Sequence, residues 1–172
     1  MKFILIGFTN SGKTSFGRSL SSILMCPFYD LDRLIEEKYG EKKPKLTVRE
    51  ITLKEGVSFF RNLEKNVLKN FLKDFRSGVL ALGGGTLLDP SNRNLPKDSK
   101  LVYIEADLSN VFQRIKQQGL PATMNQALDP QRELKKNLDQ RLPIYKKLAH
   151  LTIKNNGSLA DLYQEALKLS HI

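Results

Sequence analysis

Four apolar residues, Phe3-Ile4-Leu5-Ile6, run into Gly7, and from there the spacing G-x-x-x-x-G-K-S/T is filled by Gly7, Gly12, Lys13 and Thr14. Few local patterns restrict a fold as tightly. A phosphate has to be ringed by backbone N–H donors, and side chains would block that approach. Glycines at both ends let the backbone close around the oxygens, and a helix starting at the loop's end offers its positive N-terminus. Lys13 then supplies a mobile charge for the outer phosphates, and the Thr14 hydroxyl a ligand for Mg²⁺. The flanking pattern agrees. Residues 2–6 read as a buried strand, and Phe16, Leu20, Ile23 and Leu24 mark one face of a helix beginning near Lys13. Strand, loop and helix in that order imply nucleotide binding.

Residues 1–172 have the length of a single domain with a sizeable core. No stretch is long and apolar enough for a membrane span, so no membrane partner is expected, and the apolar start reads as a core strand rather than a signal peptide. The single cysteine, Cys26, cannot pair internally and suits a reducing, cytoplasmic setting. His150 and His171 lack metal-ligand spacing and receive no chemistry. A net charge of +10 favours anionic partners. Yet the basic residues are interspersed with Glu and Asp, as in Glu36–Lys45, and lack aromatic interleaving, so no nucleic acid is expected. With no heptad seam in the sequence, a monomer is expected.

The rest of the chain alternates short apolar runs with helical patterns, the signature of βα units and a parallel sheet. Pro27-Phe28-Tyr29 forms a second strand ending in Asp30-Leu31-Asp32, and a helix follows through about Tyr39, stopped at Gly40. Thr47 and Glu50 form a capping box, and Gly56 breaks the short helix they open. Phe60, Leu63, Val67, Phe71 and Phe75 recur at helical spacing. Val79–Leu82 is a third strand entering Gly83-Gly84-Gly85, Lys100–Ile104 a fourth, and Ser109 opens the next helix. Residues 116–128 read as a mobile loop. Asp129-Pro130 caps another helix, which Pro143 should end or kink near Arg141-Leu142. Leu151–Ile153 is the fifth strand, and Ser158 with Asp161 caps the last helix. This is an α/β fold in three layers, a five-stranded parallel sheet with helices on both faces. Its ligand groups lie at the strands' carboxyl ends.

Several of those groups admit two readings. Asp30 and Asp32 can hold Mg²⁺ and orient a hydroxyl, or simply cap a helix. Three successive glycines carry a large entropy cost and suit close approach of a ligand to bare N–H groups, or a tight turn. Arg61 and Arg141 suit bidentate capture of a carboxylate if they converge, and are otherwise surface charges.

In order along nearly the whole chain, the Gly7–Thr14 loop, Asp30-x-Asp32, Phe60-Arg61-x-x-Glu64, the Gly83–Gly85 triplet and Arg141-x-Pro143-x-Tyr145-x-x-x-Ala149 resemble the shikimate kinases. The resemblance implies a P-loop kinase fold similar to the nucleoside monophosphate kinases. It also implies transfer of the γ-phosphoryl of ATP to the 3-hydroxyl of shikimate, on the way to chorismate and the aromatic amino acids. By the same resemblance Asp32 binds the substrate hydroxyls as candidate base. Arg61 and Arg141, with the N–H groups of Gly83, Gly84 and Gly85, hold the carboxylate. Nucleotide binding falls to Gly7, Asn10, Ser11, Gly12, Lys13, Thr14, Ser15 and Arg114, the last against the adenine. Mg²⁺ falls to Thr14, with Asp30 in its outer sphere. A substrate-binding helical segment spans about 31–62, and a lid about 116–128. The Asn155-Asn156-Gly157 turn sits where the family completes its adenine pocket, without assignable contacts. One departure stands out: the family's lid commonly carries Arg-Pro-Leu-Leu, and here Gly119-Leu120-Pro121-Ala122 puts Leu120 in the arginine's place, leaving Lys116 or Arg132 as substitutes.

Two rivals follow from the same residues. A kinase of the same superfamily acting on gluconate or a nucleotide would share the loop, but gives no reason for Arg61, the glycine triplet and Arg141 to occur together. A nucleotide-binding module without catalysis is supported only by Leu120, against the retained Lys13, Thr14 and Asp32.

Overall fold

The computed structural model describes residues 1–41, 43–118 and 129–170, apart from the side chains of Gln118 and Leu159. Its organising strand is β1 (Lys2–Ile6), which lies at the centre of a five-stranded, wholly parallel sheet. β3 (Gly78–Ala81) and then β2 (Phe28–Asp30) lie on one side of it, β4 (Ser99–Glu105) and then β5 (Leu151–Lys154) on the other. Successive side chains of a strand point to opposite faces, so β1 must be apolar throughout to be covered on both. Phe3 and Leu5 join Phe16 and Leu20 of α1 (Lys13–Ile23) and Leu162, Ala166 and Leu169 of α7 (Leu159–Ser170). Ile4 and Ile6 join the opposite cluster, with Leu31 and Ile35 of α2 (Leu31–Gly40), Ile51 of α3 (Val48–Glu55) and Leu68 of α4 (Val57–Asp74). That cluster also takes Val111 and Ile115 of α5 (Leu108–Gln118) and Tyr145 of α6 (Pro130–Leu148). Each fully buried residue of this size contributes roughly 1.5–3 kcal/mol.

This order makes β1 the topological switch point. The chain moves from β1 to one side of the sheet, then crosses to the other, leaving a crevice outside the strands' carboxyl ends. The glycine-rich loop leaves β1 at that place. Helix starts follow local chemistry. Asp30 caps α2 through the N–H of Asp32, Thr47 and Glu50 form the full capping box of α3, and Asp129 accepts from Gln131 and Arg132 at α6. α1 differs: its N-cap is Gly12 in the left-handed region, with no side-chain cap and no acidic residue in its first turn. Its free N–H groups remain available to a ligand.

The expected elements are present with small shifts at their ends, and two expectations need correction. Pro143 does not end α6 near Arg141, since the helix continues to Leu148. Proline inside a helix costs about 3 kcal/mol, but the following turn buries Tyr145 and packs Ile144 and Leu148 on the core, which offsets it. Residues 116–118 are not loop but the last turn of α5, and the remainder of the expected lid, Leu120 included, lies outside the described residues. No helix among the described residues is long and apolar enough to cross a membrane.

Gly78 shows how tightly the sheet edge is built. Its φ is +123°, and a Cβ there would stand 2.6 Å from the Pro27 carbonyl oxygen. Gly78→Ala is expected to lower stability by about 1–3 kcal/mol, read as a lower urea midpoint with an unchanged slope.

Candidate active site

The loop is shaped by backbone conformations that side chains resist. Gly7 and Gly12 have φ of +147° and +94°, and Asn10 has φ of +55°. Lys13 folds back over the loop, its Nζ donating to the carbonyls of Gly7 at 3.0 Å and Phe8 at 2.6 Å. Burial pulls its pKa down to about 8, against the raising effect of Asp32 and Asp30. Side chains from far along the chain brace the outside. Asn155 Nδ2 donates to the carbonyl of fully buried Ser11 at 2.7 Å, and Arg114 donates to the carbonyls of Asn10 and Asn155 at 3.0 and 3.4 Å. A Cβ on Gly12 would meet Asn155 Nδ2 at 2.1 Å, so glycine is required there by space as well as by conformation. Sequence reasoning placed Asn155 in a generic turn; its contact with a loop 144 residues away left no local signal.

Of the carboxylate pair, Asp30 caps the helix and also faces the phosphate loop. Asp30 Oδ1 caps α2 by accepting from the Asp32 N–H, while Oδ2 accepts from Thr14 Oγ1 at 2.8 Å. Thr14 and Asp30 both line a cavity of about 420 Å³ that also takes in Asn10, Ser15, Asp32, Gly83, Gly84 and Arg114. Among the described residues no group of three or more His, Cys, Asp or Glu could hold a metal by itself. Two hard oxygen donors nonetheless fit Mg²⁺, which keeps several waters and takes further ligands from phosphates. Asp32 is pushed up to about 6, first by burial and then by Asp30, with Glu64 and Glu36 adding to it and Lys13 opposing.

Beyond Asp32 the cleft is bounded by the glycine triplet and two arginines. On α4, Arg61 Nη1 donates to Glu64 at 2.6 Å, and the buried Glu64 also accepts from Thr86 Oγ1 at 2.7 Å. The side-chain carboxylates of Asp32 and Glu64 come close over Gly83, where a Cβ would stand 3.3 and 3.2 Å from them. On Gly85 it would be 2.5 Å from Arg61 Nη2. Arg141 is not solvated. It is buried over the face of Phe8, its Nη2 donates to Asn137 at 3.0 Å, and its Nε has no partner. Burial, with Arg61 nearby, lowers its pKa, while Tyr145 and Glu64 act the other way. A guanidinium remains charged in proteins, so this is a buried cation with unfilled donor capacity. Tyr145, one turn along α6, stacks on Tyr103 and donates its hydroxyl to the Gly84 carbonyl.

Thus the structure brings Lys13, Thr14, Asp30, Asp32, Gly83, Gly84 and Arg114 to one cleft, with Arg61, Gly85 and Arg141 at its border. The candidate substitutes for a lid arginine stand apart. Lys116 lies over the Phe112 ring and Arg132 in the first turn of α6, neither among the described residues lining the cavity. Sequence reasoning named Tyr145 in its motif without its contacts, and missed Asn137 and Thr86. Only the i, i+4, i+8 spacing of Asn137, Arg141 and Tyr145 could have hinted at one α6 face.

A glycine-rich loop at a helix N-terminus, a carboxylate pair and two arginines gathered at one end of this sheet are the features of a small-molecule kinase of the P-loop class. Comparison with known proteins narrows the class. A family model described as shikimate kinase matches residues 9–170. The shikimate kinase of Thermobifida fusca is 35% identical over 154 residues, covering 89% of this chain and 84% of that protein. That of Macrococcus caseolyticus is 31% identical, covering 96% and 94%. A shikimate kinase from Acinetobacter baumannii, solved in complex with shikimate, superposes with a TM-score of 0.85 at 34% identity, over 98% of this chain and 91% of that one. The chain belongs to the shikimate kinase family.

Tyr145→Phe leaves the Gly84 carbonyl without its buried donor, a loss of about 1–3 kcal/mol. The expected result is a KM for the acceptor raised roughly tenfold with KM for ATP within about twofold, measured by steady-state kinetics.

Proposed function

We propose that this chain transfers the γ-phosphoryl group of ATP to the 3-hydroxyl of shikimate, as the family's activity implies. The observation that carries the reading is Arg141. A buried guanidinium beside Arg61, with no Nε partner and no ion-paired carboxylate among the described residues, is suited to an acidic substrate. In this reading Arg61 and Arg141 take the carboxylate, with the N–H groups of Gly83, Gly84 and Gly85. Asp32 accepts from the attacking 3-hydroxyl and draws off its proton as the new P–O bond forms, while the bond from the γ-phosphorus to the β–γ bridging oxygen breaks and ADP leaves. Lys13 leaves its loop carbonyls for the β- and γ-phosphate oxygens, the N–H groups from Gly7 to Ser15 complete the cradle, and Arg114 lies against the adenine. Thr14 would ligate Mg²⁺ with Asp30 behind it; when bound, the ion neutralises charge on the phosphates. The residues' own contribution is to fix donor and acceptor in line and to hold charge where it develops.

The same reading makes residues 1–172 one domain, with about 31–62 as its substrate-binding segment. It also makes the enzyme a cytoplasmic monomer, in keeping with small soluble substrates and a lone cysteine.

The test is ADP release from Mg-ATP with and without shikimate. Release that depends on shikimate and disappears in Lys13→Ala is expected. Arg141→Ala is expected to raise KM for shikimate at least about a hundredfold, through loss of a charge-assisted bidentate pair. Release unaffected by shikimate would sink the assignment.

The pH profile follows from the two shifted groups. Asp32, pushed up to about 6, can accept only when ionised, so kcat/KM for shikimate should rise as pH passes 6. Lys13, drawn down to about 8, serves only as an ammonium, so kcat/KM for ATP should fall above 8. Asp32→Asn should remove the acidic limb and about 10²–10⁴ of the rate.

A further inference from the structure

A second concavity lies between α4 and residues 91–97, sharing no lining residue with the nucleotide cavity. Its volume, about 570 Å³, is in the range of small-molecule sites. Leu68, buried, with the half-buried Leu72 and Leu95, supplies an apolar floor. Lys65, Lys69 and Lys73 stand along one row of α4 at i, i+4 and i+8, and Lys97 faces them from the other wall. Like charges at that spacing repel and weaken a helix, and no Asp or Glu is among the lining residues to relieve them. Lys65 has only Asp89 at 3.8 Å, and Lys73 the Asn70 side-chain carbonyl at 3.2 Å. Lys69 and Lys97 make no hydrogen bond or ion pair among the described residues. A cationic rim over an apolar floor is complementary to an anion with a hydrocarbon body. Among the described residues the lining has no aromatic side chain on which a nucleic-acid base could stack.

The groove is also tied to the candidate active site. Asn92, buried in its wall, donates to the Thr86 carbonyl at 2.9 Å, and the Thr86 hydroxyl donates to Glu64, which holds Arg61.

We propose that this groove is a second ligand site for a small organic anion, a carboxylate or phosphate on a ring-sized apolar body. The body rests on Leu68, Leu72 and Leu95, and the anionic group meets Lys69, Lys73 and Lys97. The assignment stands independently of which acid the kinase phosphorylates.

The test is fluorescence titration of the full chain with 8-anilinonaphthalene-1-sulfonate, in saturating ADP and shikimate so that the candidate active site is filled. Saturable one-to-one binding is expected. It should weaken about tenfold in K69E/K97E, where two exposed attractions become repulsions, and by a similar factor for the uncharged N-phenyl-1-naphthylamine. Both lysines are exposed, so the variant should keep its circular dichroism. K69E alone should raise the urea midpoint while weakening the dye, because it turns two like-charge pairs into opposite ones. Benzoate and phenyl phosphate as competitors tell which anionic group is preferred. Equal affinity for variant and wild type, or for the neutral dye, would overturn the proposal. So would displacement of the sulfonate dye by oligothymidylate or anionic vesicles when both small anions fail.

Discussion

A loop that keeps its N–H groups open for a ligand cannot use them to hold its own shape, and the rest of this site depends on how that shape is held. Here the carbonyl side does the work. Lys13 ties down the carbonyls of Gly7 and Phe8, Asn155 that of Ser11, and Arg114 that of Asn10. Each donor is a side chain, and two of the three come from α5 and the turn after β5, which close over the nucleotide end. A rigid cradle lowers the ordering cost at binding. Lys13 is already buried against the loop carbonyls, so an ammonium that moved to phosphate oxygens would not first have to be desolvated.

The acid end solves a different problem, that of keeping charges buried before the substrate arrives. An unpaired buried charge is costly, and a pair lacking good hydrogen bonds is little better. Glu64 limits the cost by accepting from both Arg61 and Thr86. Arg141 is only partly relieved, by Asn137 and by the face of Phe8. The remaining deficit is stability held at the site, in the manner of functional strain, and a substrate carboxylate would relieve it. The raised pKa of Asp32 has the same origin, since burial beside Asp30 and Glu64 disfavours its charge.

Features written in short windows were legible in the sequence. The apolar run of β1, the glycines around Lys13, the Thr47–Glu50 box and the Asp129-Pro130 start each depend on residues within a few positions. Features settled by distant packing were not. Pro143 reads locally as a helix stop, and only the burial of Tyr145 and Leu148 reverses that preference. Asp30 reads as either a cap or a ligand-facing group because nothing local says that Thr14 will reach its second oxygen. Arg141 reads either as a carboxylate-capturing group or as a surface charge, because its spacing gives no hint of Phe8, 133 positions earlier, beneath it. Asn155 carries no cue at all. Resemblance to a family located the chemistry, whereas physical contacts explain how it is held.

Phosphoryl transfer requires the two ends to share a wall, because the attacking oxygen must stand roughly 3–3.5 Å from phosphorus before reaction. That wall is Gly84 against the phosphate loop. A Cβ on Gly84 would come within 2.7 Å of the Thr9 backbone nitrogen, so only a residue without one lets the third strand's exit pack directly on the cradle. Gly84 is held from the other side by Tyr145, and Phe8, next to Thr9, carries Arg141 on its ring. One face of α6 therefore sets the position of both the glycine backbone and the cation. The entropy cost at Gly84 is balanced by closeness: a side chain there would push the third strand's exit away from the loop backbone.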